Sequence, residues 1–158
     1  MAKPLANGFP VGAVLMKDKV ADVIKIGDHG TTFGGGPLQS RVAHHVFERI
    51  SQPDFIASVN KLGEHLKERL SRLPDLFPRL VAGQPRGRGL IVGLPFKNDQ
   101  YLGRVQKLAR ERGLLILTCG NSTLRFVPSL VVTPEEIDRC CDVLESSLVV
   151  LNREAEGM

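Results

Sequence analysis

The sequence predicts an α/β chain that closes in a small α+β layer, and three observations carry that reading. A short apolar run at residues 11–16 (VGAVLM) is suited to a buried strand and leads into a glycine-dense stretch. Two helical stripes follow from Pro37 to the prolines at 74 and 78. Beyond Pro78 the order reads strand, helix, strand, strand, helix, as in a compact α+β layer.

After the apolar run, Asp18 is placed to cap a short helix running to Lys25. Residues 27–37 lack periodicity and hold five of the chain's 16 glycines, which implies backbone conformations other residues resist or close approach to a ligand. From Pro37 the apolar positions Val42, Val46 and Ile50 recur at helical spacing. A second helix is expected to start at Pro53, a favourable first-turn residue, with a stripe of Phe55, Val59, Leu62, Leu66 and Leu70. The two helices read as nearly continuous, one arm linking two layers of a larger protein. Residues 89–96 (GLIVGLPF) form a strand, and Leu102, Val105, Leu108 and Ala109 mark a helix stopped by Gly113. Residues 114–118 and 123–127 give two more strands around a Cys-Gly-Asn-Ser turn. Thr133, Pro134 and Glu136 make a capping box before a closing helix that aligns Ile137, Cys140, Cys141, Leu144, Leu148 and Leu151. The first fifty residues fit this layer poorly, because a lone buried strand has no partner in the chain; its sheet is expected to lie in a preceding domain.

Bulk properties narrow the classes. With 158 residues, 42% hydrophobic and 24% charged, the chain is of ordinary globular composition. It carries no apolar run of the roughly 18 residues a membrane span needs, and no signal peptide or transit peptide is read at the N-terminus. The net charge of +4 comes from basic residues interspersed with acids, as in Lys61, Glu64, Lys67, Glu68 and Arg69. That is a solvated surface, not the clustered cations and aromatics of a nucleic-acid binder. Three cysteines without CxxC spacing argue against a disulfide framework and against zinc, and buried thiols imply a reducing compartment. No His, Cys, Asp and Glu set has metal-ligand spacing. His44 and His45 are adjacent on a helix and diverge by about 100°. His65 falls on an exposed helix face.

Three features are candidates for chemistry. Lys3 precedes Pro4, which should hold it extended and aim its amine, and a desolvated lysine can condense with an aldehyde cofactor. The loop at residues 29–37 sets Thr31 and Thr32 beside glycines ahead of a helix, a source of phosphate donors, though it is neither a Walker A loop nor a GxGxxG fingerprint. Arg125 is a charge in an otherwise apolar strand and needs an acceptor, either a protein carboxylate or a ligand carboxylate. Arg86 and Arg88 read equally well as strand-edge surface charges.

Four ordered segments, AKPLANGFPVGAVLM at 2–16, HGTTFGGGPL at 29–38, RGRGLIVGL at 86–94 and LRFVPSLVV at 124–132, resemble the class III aminotransferases, most closely their acetylornithine branch. The resemblance covers nearly the whole chain. It implies the C-terminal portion of a pyridoxal-phosphate-dependent transferase of fold type I. Residues 1–36 would be a remnant of the large cofactor-binding domain, residues 37–77 interdomain helices, and residues 78–158 the small C-terminal α+β domain. It further implies that Lys3 carries pyridoxal 5'-phosphate as a Schiff base and is the catalytic lysine. Thr32 would contact the cofactor phosphate in the neighbouring subunit's site of a homodimer, and Arg125 would bind the substrate α-carboxylate. The implied reaction is ping-pong transfer of an amino group from N-acetylornithine to 2-oxoglutarate in arginine biosynthesis. The partners are small amino and 2-oxo acids, with no nucleic acid, membrane or metal, and the compartment is the mitochondrial matrix, otherwise the cytoplasm. Ornithine and 4-aminobutyrate ω-aminotransferases are the alternative within the class; a non-catalytic binding or dimerisation module is the alternative outside it.

Two local departures stand out: Gly36 occupies a position the family usually gives to asparagine, and Gln39, Ser40 and Arg41 replace a commonly alanine-rich helix start. A larger one is that the family's phosphate loop, ring-stacking aromatic and pyridine-pairing aspartate all precede the lysine. The isolated chain is therefore expected not to transaminate.

Overall fold

The computed structural model describes residues 1–120 and 122–156, and the chain divides into two compact units, Met1–Ile56 and Ala57–Met158. The first unit begins with a 3-10 turn, Lys3–Ala6, followed by helices α1 (Asp18–Ala21) and α2 (Pro37–Ile50). Helix α2 lies against the 3-10 turn. Among the described residues of this unit only Ala6 is fully buried. The strand expected at residues 11–16 does not form: Val14 is 80% and Leu15 77% exposed, and the chain there is irregular. An extended segment becomes a strand only when a neighbour completes its ladder, and here Ala13 pairs with Met1 instead, Ala13 N–H donating to Met1 O at 2.8 Å. Helix α1 is also shorter than expected. Asp18 is its first residue and Lys17 precedes it without a side-chain cap, so one turn forms and stops at Ala21.

Helix α3 (Pro53–Ser71) starts at the expected proline. The near-continuity of α2 and α3 is interrupted at Ser51 and Gln52, where Gln52 Nε2 turns back to donate to the Glu48 carbonyl at 2.6 Å. A short α4 (Leu73–Leu76) follows.

The second unit contains a four-stranded antiparallel sheet in the order β1-β2-β4-β3, from β1 (Arg86–Arg88), β2 (Ile91–Pro95), β3 (Leu117–Cys119) and β4 (Thr123–Phe126). Helix α5 (Asp99–Glu111) joins β2 to β3, and α6 (Pro134–Glu156) closes the chain. The expected strand at 89–96 is the β2 half of a hairpin whose other half, β1, carries the two arginines of the RGRG segment on its exposed edge. Arg88 pairs with Ile91, leaving Gly89 and Leu90 as the turn; Gly89 supplies a φ of +52°. The strand expected at 114–118 is displaced toward the turn, pairing only from Leu117. Of the turn expected between β3 and β4, Asn121 lies outside the described residues.

One core unites the unit: Leu66 and Leu70 from α3, Leu73 from α4, Val92 and Leu94 from β2, Leu124 and Phe126 from β4, Val105 and Leu108 from α5, and Leu144 and Leu148 from α6. The capping box holds α6 as expected, Thr133 N–H donating to Glu136 Oε2 at 2.8 Å and Glu136 N–H to Thr133 Oγ1 at 3.2 Å. Cys141 is buried and Cys140 half-buried, and burial pushes their thiols up to about 12 and about 11.

Helices α3 and α6 are tied by charge as well as packing. His65 and Arg69 on α3 and Arg72 just past its end face Asp138, Asp142 and Glu145 on α6, with matching steps of four and three. His65 Nε2 lies 2.9 Å from Asp138 Oδ1, Arg69 bridges Asp138 and Asp142, and Arg72 reaches Glu145 at 2.5 Å. His65 is thus half-buried and engaged, contrary to the exposed position its helical phase suggests. Partial burial alone would raise the Asp138 carboxyl, but the hydrogen bonds from His65 and Arg69 outweigh it and hold the group below the ordinary carboxylate range.

Candidate active site

In the first unit, Lys3 opens the 3-10 turn, which is closed by Leu5 N–H donating to Ala2 O at 3.2 Å and Asn7 N–H to Pro4 O at 3.1 Å. The Met1 amine donates to Ala13 O at 2.6 Å. Together with the return bond from Ala13, this makes residues 1–13 a closed loop with Lys3 near one end. Lys3 takes φ +53° instead of the extended conformation expected ahead of proline. That left-handed geometry costs a non-glycine residue on the order of 1 kcal/mol. The Lys3 side chain is exposed and carries no hydrogen bond or ion pair among the described residues.

The glycine-rich loop is built from two successive turns, Gly34 N–H donating to Thr31 O at 3.2 Å and Gly36 N–H to Phe33 O at 3.2 Å. The second delivers the chain to the N-terminus of α2, with Gly36 before Pro37. A Cβ at Gly34 would sit 2.9 Å from Thr31 Oγ1, so the threonine hydroxyl would have to turn aside for a larger residue there. A cavity of about 740 Å³ opens beside it, bordered by His29, Thr31 and the three glycines. Thr31 lines this cavity; the sequence-predicted Thr32 is exposed and does not, and neither does Lys3.

In the second unit, Arg125 lies at the centre of β4, between Gly93 of β2 and Leu117 of β3 in register. A Cβ at Gly93 would meet Thr123 Cγ2 at 3.0 Å, a tight contact on β4. Arg125 is half-buried and has no carboxylate or other hydrogen-bond partner among the described residues. It lines a cavity of about 630 Å³, within the range of small-ligand sites, whose wall is mostly apolar. Of the two acceptors the sequence left open for Arg125, a protein carboxylate is not found among the described residues. Sequence reasoning missed Arg110, at the end of α5, which lines the same cavity. Its only sequence signal was a cation near a helix C-terminus, which is common on surfaces.

Lys3 and Thr32 thus belong to the first unit and Arg125 to the second. Among the described residues no three His, Cys, Asp or Glu side chains gather as a metal site, and no helix is long and apolar enough to cross a membrane.

Comparison with known proteins identifies the family. The acetylornithine aminotransferase of Neurospora crassa, named mitochondrial, is 46% identical over 146 residues, covering 92% of this chain and 31% of the relative. The mitochondrial acetylornithine aminotransferase of Debaryomyces hansenii is 39% identical over 157 residues, covering 99% and 34%. The chain therefore spans about a third of the length of the curated relatives it matches. Among solved structures, acetylornithine aminotransferase from Elizabethkingia anophelis matches 92% of this chain and 37% of its own, with a TM-score of 0.79 and 29% identity. Ornithine aminotransferase from Plasmodium yoelii matches 92% and 39%, with a TM-score of 0.80 and 30% identity. The family profile of class III aminotransferases matches residues 1–148, and the chain belongs to that family, part of a pyridoxal-phosphate-type transferase fold.

Proposed function

We propose that this chain is the C-terminal third of an acetylornithine aminotransferase, contributing the lysine and the carboxylate-binding arginine to a larger active site. The observation that carries the reading is Arg125: a half-buried guanidinium without a protein acceptor, on the wall of an apolar cavity, suits a ligand carboxylate held by two parallel hydrogen bonds. The unengaged amine of Lys3, on a left-handed backbone, fits attachment to an aldehyde group. The hydroxyls and glycines ahead of α2 fit a phosphate, with Thr32 serving the neighbouring subunit of a homodimer. Curated relatives at 39–46% identity carry the acetylornithine name, and this supports N-acetylornithine over ornithine or 4-aminobutyrate; the solved acetylornithine and ornithine enzymes match equally well, at 27–31%.

Pyridoxal 5'-phosphate, when bound, supplies the electron sink that acidifies the substrate carbon bearing the transferred amine. Lys3 holds the group through its ε-nitrogen, and when that nitrogen is free it moves the proton at the substrate carbon. Arg125 fixes the carboxylate end of the amino acid and of 2-oxoglutarate, so both half-reactions present their reacting carbon at one place. Residues 1–36 belong to the large domain, residues 37–77 bridge, and residues 78–158 form the small domain. The exposure of Val14, Leu15 and Ile26 in a unit with a single fully buried residue supports burial of that region against the rest of such an enzyme. The names of the relatives, which say mitochondrial, support a mitochondrial location, and the matrix is the compartment of this proposal.

The test is a chimera joining this chain behind the first two-thirds of the Neurospora crassa enzyme. It should convert N-acetylornithine and 2-oxoglutarate, while the isolated chain should show no turnover. K3A should abolish turnover and the cofactor adduct that borohydride traps on the Lys3 peptide. R125Q should lower kcat/KM by about a hundredfold, as for loss of a charge-assisted pair of about 3 kcal/mol. A K3A chimera that still traps cofactor, or a clear preference for ornithine, would sink the assignment.

A further inference from the structure

Every charged residue on the strands of the sheet is an arginine: Arg86 and Arg88 on β1 and Arg125 on β4. Cross-strand partners share a face, so the register sets Arg86, Gly93, Arg125 and Leu117 in one row across the four strands. Arg88 and Ile91 share that face in the row beside it. The opposite face carries Val92, Leu94, Leu124 and Phe126 into the core. The arginine face is the open one, with Arg86, Arg88 and Ile91 exposed and Arg125 half-buried. Arg69, Arg72 and Arg104 all meet carboxylates of α6, whereas the side chains of Arg86, Arg88 and Arg125 have no ion pair or hydrogen bond among the described residues.

Two interstrand steps put the Cα atoms of Arg86 and Arg125 about 10 Å apart. Gly93 stands between them and has no side chain to screen one from the other. Of the other charged residues bordering the Arg125 cavity, Arg110 and Glu136 have opposite signs and offset each other. Arg86 and Arg88 therefore add an unopposed positive field over the open face. Charges on an edge strand also keep foreign strands away, but that role asks only for a charge, of either sign. We infer that Arg86 steers acidic ligands to Arg125 through its field, without gripping them itself. The inference rests on the reading of Arg125 as a carboxylate-binding residue and adds a cation that acts before contact. A carboxylate on Arg125 lies within about 10 Å of Arg86, where a single cation near a protein surface changes affinity by about threefold. Arg88, two residues further along β1, lies about 12 Å away and contributes less.

The 158-residue chain can be tested directly with pentanoate, its binding followed by nuclear magnetic resonance of the Arg125 Nε–H signal in the labelled chain. In about 10 mM salt, where charges act over about 30 Å, R86Q should weaken pentanoate about threefold and R86E about tenfold. In about 1 M salt, where that reach falls to about 3 Å, the differences between parent and variants should vanish. R86K keeps the charge and should match the parent at both salt concentrations. The urea midpoint read from Tyr101 should be the same for parent, R86Q and R86K, since Arg86 is exposed. Equal affinity of R86Q and the parent at low salt overturns the inference and leaves the Arg125 reading intact. So does a loss that persists at high salt or is shared by R86K, either of which would mark a direct contact. Failure of pentanoate to move the Arg125 signal in the parent overturns the two together.

Discussion

Substituting Gly63 with alanine tests how α3 is seated on the sheet. Gly63 lies in α3 where the helix crosses the β1–β2 turn, and a Cβ there would stand 2.2 Å from the Gly89 carbonyl oxygen and 2.5 Å from its carbon. Ordinary contact begins at 3.4 Å, so helix and turn must separate by about 1.2 Å. The obstacle is backbone and cannot rotate aside. Overpacking of this kind costs about 3 kcal/mol at the upper end of its usual range. Alanine offsets about 1 kcal/mol through its better helix propensity. The expected net loss is therefore about 2 kcal/mol, which at an m-value of about 2 kcal/mol/M lowers the urea midpoint by about 1 M. Tyr101, the sole tyrosine of a chain without tryptophan, sits on α5 and reports this unit by fluorescence. Gly103, also on α5, is the control: an added Cβ there meets nothing within 4 Å, so G103A should gain up to about 1 kcal/mol. The same chemical change should thus have opposite signs at two helical sites. A G63A chain as stable as the parent, or a G103A chain equally weakened, would refute the close-approach argument.

Leu148, wholly buried on α6, should cost about 2–5 kcal/mol as L148A in the same urea assay. Thr133→Ala should cost about 1 kcal/mol by removing half of the capping box, read as a lower thermal midpoint. Iodoacetamide at pH 8 should leave Cys140 and Cys141 unmodified in the native chain, since burial holds their thiols near 11 and 12, and should label both in urea; mass spectrometry decides. Asp138 has a depressed carboxyl, so its contribution is complete above the unfolded carboxylate range and disappears as pH falls through its lower folded value. Acid titration followed by circular dichroism should show a steeper loss for the parent than for D138N, and parallel curves would remove that link.

The second unit was legible because its elements carry their own periodicity and punctuation. Pro53, the stripe from Val59 to Leu70, Thr133 with Glu136, and the α6 apolar face all form as read. Strand edges were less legible: β1 hides in a charged RGRG segment whose pairing depends on a partner, and β3 starts three residues later than the apolar run. His65 misled because helical phase locates a face but does not say that α6 covers it. The failed strand at residues 11–16 shows that an apolar run specifies a strand only when a ladder is available. At the site, Arg125 was found from its misfit with its neighbours. Arg110 looked ordinary, because only the fold brings the end of α5 to the cavity of β4.

The position of α6 sets the order in which this unit can be completed during synthesis. Sheet, α3 and α5 are all in place before it, yet Ile137, Leu144, Leu148 and Leu151 are the last pieces of the core to leave the ribosome. Until then the nascent domain presents a greasy flank to chaperones and proteases. A stop codon even a few turns early, at Val143 for instance, should yield a species that is degraded instead of one that is merely weakened.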